Sequence, residues 1–386
     1  MSSKPVETEV IPLARPVLGE PEESAVLAVL RSGQLSMGPR VSEFESAFAA
    51  RVGAKYGSAV SSGTAGLHLA LRAVGVTDGT EVITTPFSFV ASANVAVYER
   101  ARPVFVDIDP LTLDLDAQAA VAAVSSRTAA ILPVHVFGYP ADMATLEKAG
   151  VPIVEDACEA LGGSYAEGGL IGSRGHLAVF AFYANKQMTT AEGGVLVSAD
   201  PAQKQSIDAE RNQGRAPNME WLDHDRLGFN YRLSDLACAL GLAQLQRLDS
   251  MLAARQRAAA LYEQALSGIE GLTLPCPDVG DARRGWFVYV VQLPRELDRD
   301  TTMQALQAKG IAAKPYFPAI HLMRYYQEQF GYRAGQFPVC EDVSARSLAI
   351  PFFPELTEAQ IARVADALRE IVNASGSSSR NTVLSD

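Results

Sequence analysis

The sequence predicts an α/β protein whose large domain contains a mostly parallel sheet and whose carboxy-terminal domain is smaller and of the α+β type. Between residues 62 and 199, short apolar runs alternate with segments of helical periodicity. This alternation is typical of parallel strands joined by crossover helices. The apolar runs are nearly continuous, which indicates a sheet covered by helices on both faces. After Leu233 the pattern changes to one long helical segment followed by mixed strand and helix.

Individual elements follow from the same patterns. Strands are expected at residues 81–85, 103–107, 129–134 and 151–155 and in the run 179–186, where the strand ends at Lys186, and helices at 90–100, 116–125 and 142–149. In the second region a long helix is expected at 234–267, a strand at 286–293, and helices at 301–309 and 357–372. We therefore predict a large domain at 1–250, a small domain at 251–374, a rigid helical connection between them, and a disordered tail at 375–386.

Composition excludes several classes of protein. The formal net charge of −11 argues against a nucleic-acid partner, which would require clustered Lys and Arg. No apolar run approaches the ~20 residues that cross a bilayer, and the first ten residues lack the apolar core of a signal peptide. Four scattered cysteines without CxxC spacing suggest neither a disulfide scaffold nor a zinc site. A cytoplasmic protein is expected.

One of the seven lysines, Lys186, follows a strand that reads as buried. A buried ammonium is costly, so such a lysine tends to be neutral and nucleophilic, or joined to a carbonyl as an imine. A lysine that extends to the surface from the end of a strand is the alternative. The turn that follows contains Thr189, Thr190 and a Glu-Gly-Gly sequence from Glu192.

Three further features lie at predicted strand ends or helix starts. Small residues at 61–66 open a helix and expose N–H groups that can hold a phosphate, although an ordinary Ser cap is an alternative. Asp156 ends a buried strand and needs a cationic partner, such as a pyridinium N–H, or caps the next helix. Phe87 or Phe89 could stack on a planar ring, or pack in the core. The ordered set is what pyridoxal 5′-phosphate requires.

With these residues the chain resembles the DegT/DnrJ/EryC1/StrS family of sugar aminotransferases, which have the fold-type-I architecture of PLP-dependent transferases. The resemblance covers nearly the whole chain. Its most specific segments are residues 61–65, Glu155-Asp156-Ala157, Asn185-Lys186 with the Glu-Gly-Gly sequence, and residues 228–241.

The resemblance implies a role for each matching residue. Lys186 would bind the cofactor aldehyde and then move a proton, while Asp156 would pair with the pyridine nitrogen. The phosphate would be held by Gly63, Thr64 and Ala65 and by Asn230 of a neighbouring subunit, so that a homodimer shares its active sites. Phe89 would stack on the ring. Substrate contacts would come from Arg232, Tyr316 and His321, although a solvated surface role for His321 is an alternative.

Two positions depart from the family pattern. The family usually has Ser where this chain has Ala181, so the phosphate must depend more on the 63–65 turn, on a hydroxyl such as that of Tyr183, or on water. Glu159 stands where Gln or His is common, near the ring oxygen. An ionised Glu would be repelled there, so we expect Glu159 to be protonated or to bond the imine region indirectly.

Glu159 and the Thr189-Thr190 pair are similar to the perosamine-synthase branch. This similarity implies transfer of an amino group from L-glutamate to carbon 4 of a nucleotide-linked 4-keto-6-deoxy sugar. A carbon-3 keto sugar or a cyclitol ketone is an alternative substrate. A PLP-dependent sugar dehydratase is disfavoured because Lys186 is present, and a non-catalytic PLP-binding sensor because Lys186 and Asp156 are both retained. Residues 34–39 and 215–225 are expected to help select the sugar.

Overall fold

The computed structural model describes residues 10–216 and 223–382. The described helices are α1 (Glu20–Ser32), α2 (Pro39–Arg51), α3 (Gly63–Ala73), α4 (Ala91–Tyr98), α5 (Ala117–Ala122), α6 (Met143–Leu146), α7 (Pro201–Arg211), α8 (Asp235–Leu266), α9 (Arg299–Ala308), α10 (Arg324–Phe330), α11 (Pro338–Arg346) and α12 (Glu358–Thr382). The described strands are β1 (Tyr56–Val60), β2 (Glu81–Thr84), β3 (Arg102–Phe105), β4 (Thr128–Leu132), β5 (Val154–Asp156), β6 (Leu177–Ala181), β7 (Gly194–Ser198), β8 (Tyr289–Gln292), β9 (Lys314–Pro315) and β10 (Ser347–Ile350).

Seven of the described strands line up as one sheet in the order β3-β2-β4-β5-β6-β7-β1. Two hydrogen-bonded blocks, β3-β2-β4 and β5-β6-β7-β1, are joined by parallel bridges from Ile131 to Ile153 and from Val134 to Asp156. The pairs β2/β3, β2/β4 and β5/β6 are parallel, whereas β7 runs antiparallel to both β6 and β1. The prediction of a mostly parallel α/β sheet is confirmed.

Local sequence explains where several helices begin. Six of the described helices start at a Ser or Asp whose side chain accepts a backbone N–H in the first turn, which satisfies one donor that helix geometry leaves open. At α3 this residue is Ser62, and at α8 it is Ser234. The two faces of the sheet are covered by separate buried clusters, one containing Val60 and Val179 and the other containing Ala59 and Phe180.

A second sheet, of order β8-β10-β9, is antiparallel and packs with α9 and α12 around its own buried cluster. The long helix α8 contributes Leu248 and Met251 to the core of the first sheet and Tyr262 and Leu266 to this second core. The predicted domain boundary at 250/251 lies inside this helix and stays a prediction.

The two ends of the described chain meet in the second core. Ile11 is 1% exposed and forms a parallel bridge with Ile311, with its N–H donating to Gly310 O at 2.9 Å. Phe352 N donates to Leu13 O at 2.9 Å. Helix α12 runs to Thr382, so the tail predicted at 375–386 overlaps the end of this helix, and residues 383–386 lie outside the described residues.

No helix in the described part of the chain combines the length and the apolar character that a bilayer crossing requires.

Candidate active site

A cavity of about 480 Å³ opens at the carboxyl ends of the parallel strands, where ligands bind in this kind of sheet. We call it the Lys186 cavity. It brings together most of the predicted site residues, which are Gly63, Thr64, Phe89, Asp156, Glu159, Tyr183, Lys186 and Tyr316. They come from the start of α3, the segment after β2, the end of β5, the turn after β6 and the segment after β9. The predicted constellation is therefore one site in space, built from elements far apart in sequence.

Lys186 lies in the turn after β6, five positions beyond the last residue of the strand, rather than at the end of the strand as the sequence pattern predicts. Its side chain is 14% exposed, with Nζ 3.5 Å from Glu159 Oε1 and 4.0 Å from the centre of the Phe287 ring. The alternative of a lysine extended into solvent is wrong. The Lys186 amine therefore lies between a carboxyl group and an aromatic face inside the cavity.

Glu159 is 6% exposed and is held at both oxygens. Oε2 accepts the N–H of Phe137 at 3.1 Å, and Oε1 faces Lys186. Burial raises the pKa of Glu159, and the charge of Lys186 and the Phe137 hydrogen bond offset this rise only in part. The neutral acid expected from the sequence is therefore favoured relative to an ordinary glutamate.

Asp156 ends β5 and is 5% exposed. Oδ2 accepts the hydroxyl of Ser92 at 2.7 Å and Oδ1 accepts the N–H of Cys158 at 3.2 Å. The residues that follow Asp156 form turns, so the alternative that it caps the next helix is wrong. A buried carboxylate with two donors, and with no cation in contact among the described residues, is well placed to accept a third, charged donor from a ligand.

The predicted phosphate turn is the first turn of α3. Ser62 Oγ accepts the N–H of Ala65 at 3.1 Å, so the ordinary capping interaction is present and uses that amide. The amides of Gly63 and Thr64 remain without an intrahelical partner by helix geometry, at the positive end of the helix dipole. A Cβ on Gly63 would lie 2.8 Å from Ala181 Cβ, so only glycine fits against the end of β6.

The two candidate aromatic residues after β2, Phe87 and Phe89, lie in different environments. Phe87 is fully buried and packs edge-on against Phe137 and Phe317, which makes it a core residue. Phe89 is 63% exposed and lines the cavity, where its ring is free to stack on a ligand. Tyr183 is also exposed and lines the same cavity.

Tyr316 and Asn185 form a polar pair in the cavity wall. Burial raises the pKa of the Tyr316 phenol, and so does the nearby charge of Glu159, whereas a hydrogen bond with Asn185 acts in the opposite direction. Asn185 Oδ1 is buried and accepts no hydrogen bond from the described residues. Asn185 itself lines the cavity, so this acceptor belongs to the cavity wall.

Four predicted site residues do not line the Lys186 cavity of this single chain. Ala65 lines a neighbouring depression behind α3, and Asn230 is exposed. Arg232 donates to Asn212 Oδ1 at 2.9 Å and to Gln213 Oε1 at 2.8 Å.

Arg232 lines a second cavity of about 520 Å³, which we call the Arg232 cavity. Gly38, in the predicted selectivity loop 34–39, lines it too, as does Arg215 from the other predicted segment, 215–225. Residues 217–222 of that segment lie outside the described residues.

His321 is the clearest difference from the sequence prediction. Its side chain is 0% exposed, its Nε2 lies 3.0 Å from Glu341 Oε1, and its ring packs edge-on against Phe337. The alternative of a solvated surface histidine is wrong, and the structure does not bring His321 to the Lys186 cavity.

Several lining residues were not predicted from the sequence. Ser88 and Ser92 line the cavity on either side of Phe89 in sequence, with Ser88 before α4 and Ser92 in the first turn of that helix. Asn185 belongs to the Asn185-Lys186 motif, which predicts no role for it. Phe287 belongs to the second region of the chain, and no sequence pattern indicates that its ring faces Lys186.

Pyridoxal 5′-phosphate fits the donor set that the cavity presents. Among the described lining residues there is a single lysine, the first turn of α3 brings Gly63 and Thr64 to the cavity, and the Asp156 carboxylate lines it as an acceptor. Phe89 lies between Gly63 and Asp156 in sequence, and its exposed ring lines the same cavity. Each part of the cofactor therefore has a partner among the described residues.

Comparison with known proteins gives the same result. The model of the DegT/DnrJ/EryC1/StrS aminotransferase family matches residues 16–369. DesV from S. venezuelae, solved in complex with a ketimine intermediate, is 34% identical over 91% of this chain and 94% of its own, with a TM-score of 0.86.

Two other solved structures match this chain to a similar degree. A sugar aminotransferase from Micromonospora echinospora is 29% identical over 93% of this chain and 99% of its own, with a TM-score of 0.85. 3-Amino-5-hydroxybenzoic acid synthase is 30% identical over 95% of this chain and all of its own, with a TM-score of 0.89. With the family match, they show that the chain belongs to the DegT/DnrJ/EryC1/StrS family, has the fold-type-I architecture, and is a PLP-dependent aminotransferase.

Proposed function

We propose that this enzyme transfers the amino group of L-glutamate to a nucleotide-linked keto sugar, at carbon 4 of a 4-keto-6-deoxy sugar. The choice of carbon 4 is supported by the similarity of Glu159 and of the Thr189-Thr190 pair to the perosamine-synthase branch. Both threonines are buried, with Thr189 Oγ1 donating to Phe182 O at 3.0 Å and Thr190 Oγ1 to Glu192 O at 2.7 Å. They act by fixing the turn that carries Lys186.

The observation that carries the proposal of a hydroxyl-bearing substrate is the unpaired acceptor of Asn185. Its Oδ1 is buried beside Lys186 in the chain and beside Tyr316 in space. A buried acceptor without a donor costs about 1–3 kcal/mol, and a sugar hydroxyl would remove that cost. A ketone without hydroxyl groups would leave the acceptor unpaired and would be rejected.

Lys186 and Glu159 would handle the proton that moves during amino transfer. When bound, the cofactor supplies an aldehyde that joins amines and a ring that takes up electrons. Lys186 Nζ would take a proton from one carbon and return it to another, as a positioned amine can. Glu159 Oε1, 3.5 Å away and with its pKa raised by burial, would hold a proton beside that amine.

The remaining residues would bind and orient the cofactor. Asp156 would keep a proton on the ring nitrogen, Phe89 would stack on the ring, and the Gly63 and Thr64 amides would hold the phosphate. With Ala181 in place of Ser, the phosphate would have one hydroxyl fewer and would depend on the α3 turn, with the Tyr183 hydroxyl as a candidate donor in the cavity wall.

A homodimer with shared sites is part of the proposal, and charge supports it. Among the described lining residues, the Lys186 cavity has three carboxyl groups, Asp156, Glu159 and Glu192, and a single cation. A cofactor phosphate and an anionic substrate need more positive charge than that. The positive charge would come from Arg232 of a second copy, and Asn230 of that copy would add a neutral hydrogen-bond donor. His321, buried away from the cavity, has no such support.

The proposed location is the cytoplasm. The four cysteines are free thiols, as expected in a reducing compartment.

The test is turnover with defined substrates. Purified protein with pyridoxal phosphate and L-glutamate should release 2-oxoglutarate, and addition of a nucleotide-linked 4-keto-6-deoxy sugar should give the amino sugar by mass spectrometry. A matched panel contains the 3-keto isomer, the free sugar and a cyclitol ketone. Amination of only the 3-keto isomer or only the cyclitol would contradict the proposal.

Shared sites can be tested by mixing two inactive variants. Lys186→Ala and Arg232→Ala proteins, dissociated and mixed in equal amounts, should regain up to about a quarter of wild-type activity below saturation, because half of the two-fold dimers then contain one intact site. No recovery on mixing, with dimers present, would contradict shared sites.

A carbocyclic substrate is the second candidate, favoured by the match to 3-amino-5-hydroxybenzoic acid synthase. The Asn185 acceptor would serve a cyclitol hydroxyl equally well. The panel above separates the two, because a cyclitol-specific enzyme would ignore the nucleotide.

A further inference from the structure

Two buried serines connect the predicted stacking residue to the predicted partner of the ring nitrogen. Ser88 and Ser92 are each 1% exposed and both line the Lys186 cavity. Ser92 Oγ lies 2.7 Å from Asp156 Oδ2, and the two serine oxygens lie 2.7 Å apart. The carbonyl of Phe89 lies 2.9 Å from Ser88 Oγ and 3.3 Å from Ser92 Oγ.

The number of protons fixes the direction of these hydrogen bonds. An ionised carboxylate only accepts, so the Ser92 proton must point to Asp156. The short contact between the serines must then be donated by Ser88. The result is an aligned chain in which Ser88 donates to Ser92 and Ser92 donates to Asp156.

The chain can also run in the opposite direction. If Asp156 carries a proton on Oδ2, it can donate to Ser92, Ser92 to Ser88, and Ser88 to the Phe89 carbonyl. Both short contacts are then again satisfied. The two serines therefore have a complete hydrogen-bond arrangement for either charge of Asp156, which a single donor would not provide.

The forward arrangement has a consequence for a ring nitrogen bound at Asp156. The carboxylate and the nitrogen share one proton, and whatever stabilises the carboxylate moves that proton toward the nitrogen. The hydroxyl of Ser92 stabilises the carboxylate by a charge-assisted hydrogen bond, and Ser88 polarises that hydroxyl further. Cys158 N, at 3.2 Å from Oδ1, is the other donor to the same carboxylate.

We propose that Ser92, backed by Ser88, is a positioning residue that keeps Asp156 ionised against the cofactor and thereby keeps the proton on the ring nitrogen. This inference rests on the proposed role of Asp156. It adds two residues, Ser92 on α4 and Ser88 just before it, to the residues that set the electronic state of the cofactor.

The experiment compares two cofactors that differ only at the ring nitrogen. Cofactor-stripped full-length protein is titrated with pyridoxal 5′-phosphate and with 1-deazapyridoxal 5′-phosphate, in which C–H replaces the nitrogen. The quantity measured is the dissociation constant of 1-deazapyridoxal 5′-phosphate divided by that of pyridoxal 5′-phosphate. A high ratio means that the protein prefers the cofactor with the ring nitrogen. General damage to the fold weakens both cofactors and leaves this ratio unchanged.

Ser92→Ala should lower the ratio about tenfold, since loss of one charge-assisted hydrogen bond is only partly transmitted to the nitrogen. Ser88→Ala should lower it about threefold, because Ser92 can still donate to Asp156. Ser92→Thr keeps the hydroxyl and should preserve the wild-type ratio. The matched control is Ser58→Ala, which removes a buried serine that donates to a carboxylate outside the cavity, at 2.9 Å from Asp208 Oδ1.

An unchanged ratio in Ser92→Ala would overturn the proposal, and so would an equal loss in Ser92→Thr. Asp156→Ala separates this from failure of the proposed function. If Asp156→Ala removes the preference for the nitrogen and Ser92→Ala does not, only the serine chain is wrong. If Asp156→Ala leaves the preference unchanged, the assignment of Asp156 to the nitrogen is wrong.

Discussion

Two buried glutamates, four residues apart on one segment, are held in opposite ways. Glu155 is 0% exposed and accepts hydrogen bonds from His135 Nε2 at 2.9 Å, from Gly175 N at 2.5 Å and from the Tyr165 hydroxyl. Glu159 is 6% exposed and has the Phe137 N–H and the more distant Lys186 ammonium.

Their pKa values move in opposite directions as a result. Burial alone would raise the pKa of Glu155, but the hydrogen bonds from His135, Tyr165 and Gly175 outweigh it, so the pKa is lowered. Burial raises the pKa of Glu159, and its fewer partners do not reverse that rise. Burial of a carboxyl group therefore does not decide its charge; the number and geometry of its donors do.

Glu155 and Glu159 therefore have different roles. Glu155 is a permanent charge that orders the residues behind Asp156, since His135 Nδ1 accepts from Ala141 N at 3.0 Å and its Nε2 is then the donor to Glu155. Glu159 is a group whose charge can change beside Lys186. The first is expected to matter for folding and the second for turnover.

The largest effect is expected at the cation that faces Glu159. Lys186→Ala should lower turnover roughly 10³-fold or more, because it removes both the covalent attachment and the proton carrier. Borohydride treatment followed by mass spectrometry should find a cofactor adduct at position 186 in the wild type and none in the variant. Lys309→Ala, which removes an exposed lysine paired with Glu370, is the control and should keep wild-type activity. Turnover within tenfold of wild type would contradict the assignment.

Glu155→Gln should destabilise the protein by about 2–4 kcal/mol at neutral pH, because an amide must place its NH₂ against groups that are themselves donors. Since the folded pKa of Glu155 is lowered, its stabilisation is present above the unfolded value near 4.5 and is lost as pH falls through the folded value. The wild-type advantage should therefore shrink in acid. Urea unfolding at several pH values measures it, with the exposed pair member Glu328→Gln as control. A gap that widens below pH 4.5 would contradict this account.

Tyr165→Phe should cost less, about 1–2 kcal/mol, because it removes one of several donors to Glu155. The Tyr165 oxygen also accepts the N–H of Gly172 at 2.8 Å, and that amide keeps only a longer contact of 3.4 Å to Glu155. The same unfolding assay applies. A cost equal to that of Glu155→Gln would mean that Tyr165 alone holds the charge.

Glu159→Gln should have the smallest effect on stability, within about 1 kcal/mol, since few donors depend on its charge. The folded pKa of Glu159 is raised, so its contribution is present below the unfolded value near 4.5 and is lost as pH rises through the folded value. In cofactor-free protein, the free energy of unfolding of the variant should rise relative to that of the wild type as pH increases. Its turnover should fall about tenfold if Glu159 holds a transferable proton. Strong destabilisation of the variant at pH 8 would instead mean that the charge of Glu159 stabilises the fold, as that of Glu155 does.

The parts of the site that the sequence predicted are those with strong local signals. Asp156 at a strand end, Lys186 after an apolar run and the Ser62 turn each have neighbours that define them. The parts that it missed depend on contacts between distant segments. Ser92 acquires its role from a carboxylate 64 residues away, and Phe287 faces Lys186 across the two regions of the chain.

The elements show the same division. The long helix α8 was predicted almost to the residue, because a capped amphipathic segment carries its own signal. Strand β7 was not predicted, since three apolar residues between a Gly-Gly pair and Ser198 fit several structures and become a strand only between β6 and β1. The predicted strand at 151–155 is shorter in the structure and begins at Val154.

The anchoring of Ile11 against Ile311 has a consequence for synthesis on the ribosome. Ile311, the partner of Ile11, is translated about 300 positions later. The apolar segment around Ile11 therefore stays exposed to solvent until most of the polypeptide has emerged. Closing so long a loop is slow relative to local folding. Docking of the segment around Ile11 is therefore expected to be among the last folding events, and nascent chains released early should expose this apolar segment to chaperones and proteases.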